Sequence, residues 1–131
     1  MSTAKREIDV PGMGAPAPYY CDVVAMGDLL FVSGILAADE HQQLVGGDDP
    51  AAQAEHVFAR LKQVLAAEGA SYSDILKVTL YLTHMEDRAA INPVRKAYFG
   101  SSRPASTLVE VSRLVVPGTR LEVEAIARIP R

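Results

Sequence analysis

Along Arg120 to Ile129 hydrophobic and polar residues alternate with a period of two. Leu121, Val123, Ala125, Ala127 and Ile129 fall on one face, and Arg120, Glu122, Glu124 and Arg128 on the other. This is the pattern of a strand with one face in a core and one face polar. Thr107 to Ser112 alternates too. Thr107, Val109 and Val111 oppose Ser106, Leu108, Glu110 and Ser112, which places the Glu110 carboxylate beside an apolar leucine, either partly desolvated or at an interface. Between the two runs lies Val115-Val116-Pro117-Gly118-Thr119, whose Pro-Gly pair favours a turn with positive φ at the glycine. Two strands joined by a tight reversal are the simplest expectation.

The rest of the chain supplies further elements. Met1 to Pro18 should be extended and weakly ordered until something docks it. Val23 to Met26 and Leu29 to Val32 flank Gly27-Asp28 and predict a hairpin, whose second strand runs into Ser33-Gly34. A glycine inside an apolar strand marks a bulge, a close approach to a ligand, or a packing site. Ala38 to Gly47 reads as a polar loop. Asp49-Pro50 supplies an N-cap and an N1 proline for a helix from Ala51 to Glu68, with Ala54, Val57, Phe58, Leu61, Val64 and Leu65 on one face and Gly69 at its end. His56 falls on the other face and reads as solvated. Ile75 to His84 alternates as a strand. Glu86 to Phe99 has helical spacing, with Pro93 tolerable if the helix begins close to Ala89 or Asn92. Gly100 to Pro104 breaks it. The order ββ-α-β-α-ββ predicts an α+β domain, a mixed sheet with two helices on one face.

Composition narrows the function. A chain of 131 residues is one domain, residues 1–131, and 49% hydrophobic against 22% charged residues describes an ordered soluble globule. A net charge of −3, a 6% aromatic share and no tryptophan provide no footprint for a nucleic-acid backbone. No apolar run reaches the length of a membrane span or follows the basic N-terminal residues as a signal peptide would. The single cysteine, Cys21, excludes an internal disulfide and a multi-cysteine metal site, so the cytoplasm is the expected compartment; it reads as a small packing residue. No zinc helix motif, phosphate-cradling loop or nucleophile elbow occurs, and His41 and His84 have no Ser or Cys partner in sequence. What remains for chemistry is a carboxylate, a tyrosine, the Ser33-Gly34 backbone and Asn92, a set that can position a water and shuttle a proton. The plainer alternative is that Glu110, Glu122 and Glu124 are solvated strand positions with cross-strand arginine partners.

Taken together, Pro18-Tyr19-Tyr20, GDLLFVSG at Gly27 to Gly34, DILKVTLYLTHMED at Asp74 to Asp87, INPVRKAYF at Ile91 to Phe99, and RPASTLVEV followed by LEVEAIA resemble the Rid (YjgF/YER057c/UK114) family. The resemblance spans nearly the whole chain. It implies a chorismate-mutase-like fold and a homotrimer with clefts between subunits. It also implies a hydrolase of small enamines and imines that needs no metal or cofactor. Carried over by motif, Glu122 would hold the attacking water and shuttle its proton. Tyr20, Ser33 with the Gly34 backbone, and Asn92 would line the cleft.

One departure matters. Where deaminating members read Pro-Ala-Arg and use the arginine to grip a substrate carboxylate, this chain reads Pro104-Ala105-Ser106, and Leu108 replaces a frequent cysteine. Losing a bidentate guanidinium contact costs roughly ten- to a thousandfold in binding. Arg103 is the first candidate to replace it, then Arg95, Arg113 and Arg120. Three functions follow: a deaminase of a different enamine or imine, such as a 2-aminomuconate-like compound; a non-catalytic trimer that binds a small metabolite; and a ribonuclease or translation inhibitor, which the acidic balance opposes.

Overall fold

A computed structural model describes residues 4–131. Six strands form one mixed sheet: β1 (Arg6–Ile8), β2 (Val23–Met26), β3 (Leu29–Leu36), β4 (Ile75–Leu82), β5 (Ala105–Glu110) and β6 (Leu121–Arg128). Two helices, α1 (Pro50–Ala67) and α2 (Arg88–Phe99), cover one face of it. The spatial order is β1-β2-β3-β6-β4-β5, antiparallel throughout except for β4 beside β5. The expected α+β sheet with two helices on one face is present.

The expected reversal between the last two strands is not. β6 lies between β3 and β4, while β5 lies beyond β4 and parallel to it. The Pro117-Gly118 turn does form, with φ +86° at Gly118 and Thr119 N–H donating to Val116 O at 3.2 Å, but it sits in a connection that passes the end of β4. The alternation of β6 suits this place: Leu121, Val123, Ala125 and Ala127 are all buried, as a central strand requires. β5 is an edge strand, shifted two residues toward the N-terminus from expectation. Glu110 is therefore exposed in the single chain, and it accepts the Met85 N–H at 2.9 Å.

The N-terminal segment is more ordered than its composition suggests. Met1 to Thr3 lie outside the described residues, but Arg6–Ile8 pairs antiparallel with β2. Val10 is buried and its N–H donates to Asp22 Oδ2 at 2.8 Å. Pro11 O accepts from Gln63 Nε2 at 3.0 Å.

Local signals explain the helices. The Asp49 carboxylate accepts from Ala51 and Ala52 N–H at 3.0 and 3.3 Å, Pro50 occupies the first turn, and Gly69 at φ +74° ends α1. α2 begins at Arg88 behind a 3-10 turn (Met85–Asp87), so Pro93 lies inside the helix and leaves the Ala89 carbonyl without its intrahelical donor. His56 is not solvated: half-buried, its Nε2 lies 2.9 Å from Ala38 O, and it ties α1 to the loop that precedes it. Phe58, Leu61 and Leu65 of α1, with Ile91 and Phe99 of α2, pack on Leu30, Val78, Leu80, Leu82 and Val123. Tyr72 closes this core, donating to Phe58 O at 2.6 Å, and burial pushes its phenol pKa well above the ordinary range.

The opposite face of the sheet has no helix. Met26, Leu29, Phe31 and Val109 are exposed there, beside the half-buried Tyr81, Glu122 and Glu124.

Candidate functional site

The site begins with the glycine in β3. The β3–β6 pairing slips between Val32 and Ile35, so Ser33-Gly34 is a bulge. The bulge faces β6. A Cβ placed on Gly34 would lie 2.9 Å from Glu122 Cδ and overlap its Oε1, so the absent side chain is what lets the carboxylate lie against the strand. Ser33 is fixed on the other side, its Oγ donating to Cys21 O at 2.6 Å and its N–H to Asp22 O at 2.9 Å.

Glu122 and Glu124 sit two residues apart on one face and differ in their partners. Glu124 Oε1 accepts the Tyr81 hydroxyl at 2.6 Å. The Glu122 carboxylate accepts no hydrogen bond among the described residues, and burial, then the charge of Glu124, raise its pKa above the ordinary value. Neither has an arginine partner. Arg120 forks onto Asp87 (2.7 and 3.0 Å) and Arg128 bonds Asp74 (3.1 Å), which removes the cross-strand ion pairs expected of a merely solvated face.

A groove of about 810 Å³ holds Glu122, Tyr20, Ser33 and Gly34 together. The charged residues of its lining are mostly acidic, with Asp9, Asp22, Asp39 and Glu40 beside Glu122 and Arg60 opposing them. Tyr20 is 64% exposed at its rim. Cys21 donates its thiol to Val23 O at 3.3 Å, a packing arrangement.

The other expected residues are elsewhere. Asn92, Ser106, Leu108 and Arg103 line a second groove of about 730 Å³ between α2 and β5. Register explains the separation. Ser106 and Leu108 stand opposite Val78 and Leu80, which are buried under the helices, whereas Glu122 stands opposite Tyr81 on the uncovered face. Residues directly opposite point to the same side of a sheet, so Glu122 and Ser106 lie on opposite faces and cannot meet within one chain.

Among the candidate arginines, Arg95 rather than Arg103 touches position 106: its Nη2 donates to Ser106 Oγ at 2.7 Å. Its guanidinium carbon lies 5.8 Å from the Phe99 ring centroid, and burial, then Arg88, lower its pKa. Arg120 is committed to Asp87, Arg113 is exposed outside both grooves, and Arg103 is exposed at the rim of the second. Arg88 and Lys96 were not singled out in the sequence. Arg88, Asn92 and Arg95 recur at i, i+4 and i+7, a spacing that places them on one helical face.

The model of the Endoribonuclease L-PSP family matches residues 13–129. The chain belongs to that family. Relatives with the YjgF or RutC name share it: the 3-aminoacrylate deaminase RutC of Acinetobacter baylyi is 34% identical over 95% of this chain and 98% of its own. A RutC family protein of Pyrococcus horikoshii is 39% identical over 86% of this chain and 90% of its own. Among solved structures, the yeast protein YEO7 superposes with a TM-score of 0.89 at 30% identity, covering 97% of this chain and all (100%) of its own. Rv2704 of Mycobacterium tuberculosis, a member of the YjgF/YER057c/UK114 family, gives 0.80 at 28% identity over 96% and 100%. The Rid resemblance of the sequence is therefore the family of the protein. No helix among the described residues is long and apolar enough to cross a membrane.

Proposed function

We propose that the protein hydrolyses a small enamine or imine to a carbonyl compound and ammonia, in a homotrimer whose clefts join the Glu122 groove of one subunit to the Ser106 groove of its neighbour. The observation that carries this reading is the Glu122 carboxylate, unpartnered, raised in pKa and seated against a glycine that leaves it room. Similarity over nearly the full chain to a 3-aminoacrylate deaminase supports the same chemistry.

An imine carbon is already electrophilic, so the protein has only to deliver water and move protons. Glu122 takes a proton from water as its oxygen adds to the carbon of the protonated C=N group, giving a carbinolamine. The resulting carboxylic acid then protonates the amine and the C–N bond breaks. Ammonia leaves as the hydroxyl oxygen forms the C=O and gives its proton up to the Glu122 carboxylate, from which it returns to solvent. An enamine enters after protonation at carbon. A carboxyl pKa raised above its ordinary value makes the protonated form easier to reach and suits both directions of transfer. Tyr20 and the Ser33-Gly34 backbone border this chemistry. Asn92 and the basic groove orient the substrate from the neighbouring subunit.

The assembly follows from the two faces. A subunit carrying complementary halves on opposite sides of its sheet makes heterologous contacts, and such contacts close into a ring when the rotation permits; the family resemblance supports a ring of three. The exposed Phe31, Leu29, Met26 and Val109 would be covered in it. One cysteine and no disulfide suit the cytoplasm, where reactive enamines would be released.

The test is ammonia release, or loss of enamine absorbance, with 2-aminoacrylate-type and aminomuconate-type substrates generated in situ. Wild-type protein should outpace buffer, and Glu122→Gln should lose about 10²- to 10⁴-fold, the scale of a missing general acid-base. Equal rates for the two proteins would sink the role of Glu122. Ligand-induced thermal stabilisation with no turnover would leave a metabolite-binding protein instead.

A further inference from the structure

The groove between α2 and β5 is lined by Arg88, Arg95, Lys96 and Arg103, and by no aspartate or glutamate. None of these four cations makes an ion pair among the described residues, although Arg6, Arg120, Arg128 and Arg131 all do. A protein whose net charge is −3 has thus gathered four unneutralised cations in one concavity. Arg95 is the most constrained of them, half-buried, held by Ser106 Oγ at 2.7 Å and lying by the Phe99 ring. That single bond to Ser106 leaves most of its donors unused, since a guanidinium carries five. Arg88 lies two helical turns before it, about 10 Å along the axis, and the two side chains open into the same groove with Asn92 between them.

We propose that this groove is a dianion site, in which the Arg95 guanidinium, positioned by Ser106, grips one carboxylate of the substrate and Arg88 the other. The inference deepens the hydrolase reading by assigning its substrate class, a short diacid rather than a simple amino-acid imine. Arg95 touches the ligand, and Ser106 acts through it. The serine that replaces a cation on β5 is then the hydrogen-bond acceptor that holds a cation reaching over from α2.

The experiment is calorimetric titration of the purified, assembled protein with two unreactive 2-oxo acids, 2-oxoglutarate as the diacid and pyruvate as the monoacid. Wild type should bind 2-oxoglutarate at least tenfold more tightly than pyruvate. Arg95→Gln should weaken both at least tenfold, and Arg95→Lys, which keeps the charge and loses the fork, should weaken them less. Arg88→Gln should erase the preference for the diacid and leave pyruvate unchanged. Ser106→Ala should cost about threefold and Ser106→Thr should restore the affinity, a rescue that a purely structural role of the strand would not give. Oligomeric state and melting temperature identify any variant that fails to fold, and Arg95→Lys keeps the question open to an answer in that event. Unchanged affinity in Arg95→Gln, no preference for the diacid, or no binding of either acid by wild type at millimolar concentration would each overturn the proposal. Diacid binding that depends on Arg95 but occurs without turnover would end the hydrolase reading and keep the anchor. Turnover that depends on Glu122 but not on Arg95 would do the reverse.

Discussion

The two grooves of this chain are opposites. The one at the β3 bulge has five carboxylates, Asp9, Asp22, Asp39, Glu40 and Glu122, against Arg60, and its key group is an acid without a partner. The one between α2 and β5 has four cations and no carboxylate, and its key group is a guanidinium held by a serine. The proposed reading gives proton transfer to the first and charge recognition to the second. A single chain keeps Glu122 and Ser106, one from each groove, on opposite faces of one sheet, so neither groove has what the other supplies. The contrast is also a docking rule: an acidic concavity on one copy and a basic one on the next attract each other and disfavour like-to-like pairing.

The most demanding test of this division is complementation between subunits. Glu122→Gln and Arg95→Gln proteins, each nearly inactive alone, should regain activity when unfolded and reassembled together. A cleft with both native halves forms wherever an Arg95→Gln subunit offers its Glu122 groove to a Glu122→Gln neighbour. Random mixing gives about a quarter of the clefts that composition in a head-to-tail ring. Recovery toward a quarter of the wild-type rate, against parents reduced about a hundredfold or more, is the expected result. No recovery in verified mixed assemblies would place both residues in the same subunit's site and break the comparison.

A substitution within the acidic groove sharpens it. Gly34→Ala places a methyl group where the Glu122 carboxylate lies. The carboxylate ends a flexible side chain, so it can move aside and the fold should lose no more than about 1 kcal/mol. The proton-transfer geometry has no such tolerance, since displacements of about 1 Å cost on the order of a hundredfold. Activity should therefore fall about ten- to a hundredfold while the melting temperature drops by only a few degrees and 2-oxoglutarate affinity stays. Unaltered activity would mean that Glu122 does not work from the position it holds against the bulge.

What the sequence made legible follows the reach of each signal. The α1 caps and stripe, the β6 alternation and the Gly34 bulge are local, and each is where its residues place it. The partners of β6 were not local. Pro117-Gly118 encodes a turn, but nothing in it says whether the strands it separates will pair, and the burial of both strand edges by β3 and β4 decided the matter. β1 was missed because three residues, Arg6 to Ile8, are too few to carry a period and gain their place from the neighbouring β2. The same limit governs the grooves. Ser106 in place of an arginine was visible, yet its partner lies 11 positions earlier on a helix, at a distance set only by the α2–β5 packing. Arg103, three positions from Ser106 and the first candidate to replace the arginine, lines the same groove, but the side chain that bonds Ser106 is Arg95.

The smallest expected effect distinguishes the two glutamates of β6. Glu124 raises the pKa of Glu122 by its charge, second to burial, while its own carboxylate is occupied by the Tyr81 hydroxyl. Glu124→Gln keeps an oxygen to accept that hydroxyl and removes the charge. On the proposed hydrolase reading Glu122 works from its ionised form, so the rate should decline as pH falls through its pKa, which burial holds above the ordinary carboxyl value. Removing the neighbouring charge lowers that pKa. The acid limb of the rate profile should then move to lower pH, with the plateau rate within about twofold of wild type. Stability runs in the opposite sense. A carboxyl whose folded pKa exceeds its unfolded one binds protons more tightly in the native state, so its ionisation costs stability as pH rises through that window. Glu124→Gln narrows the window and should raise the neutral-pH melting temperature by roughly one to three degrees, a gain that fades once the pH is low enough to protonate Glu122 in wild type. An acid limb that stays in place would assign the raised pKa to burial alone and leave Glu124 as a partner for Tyr81 only.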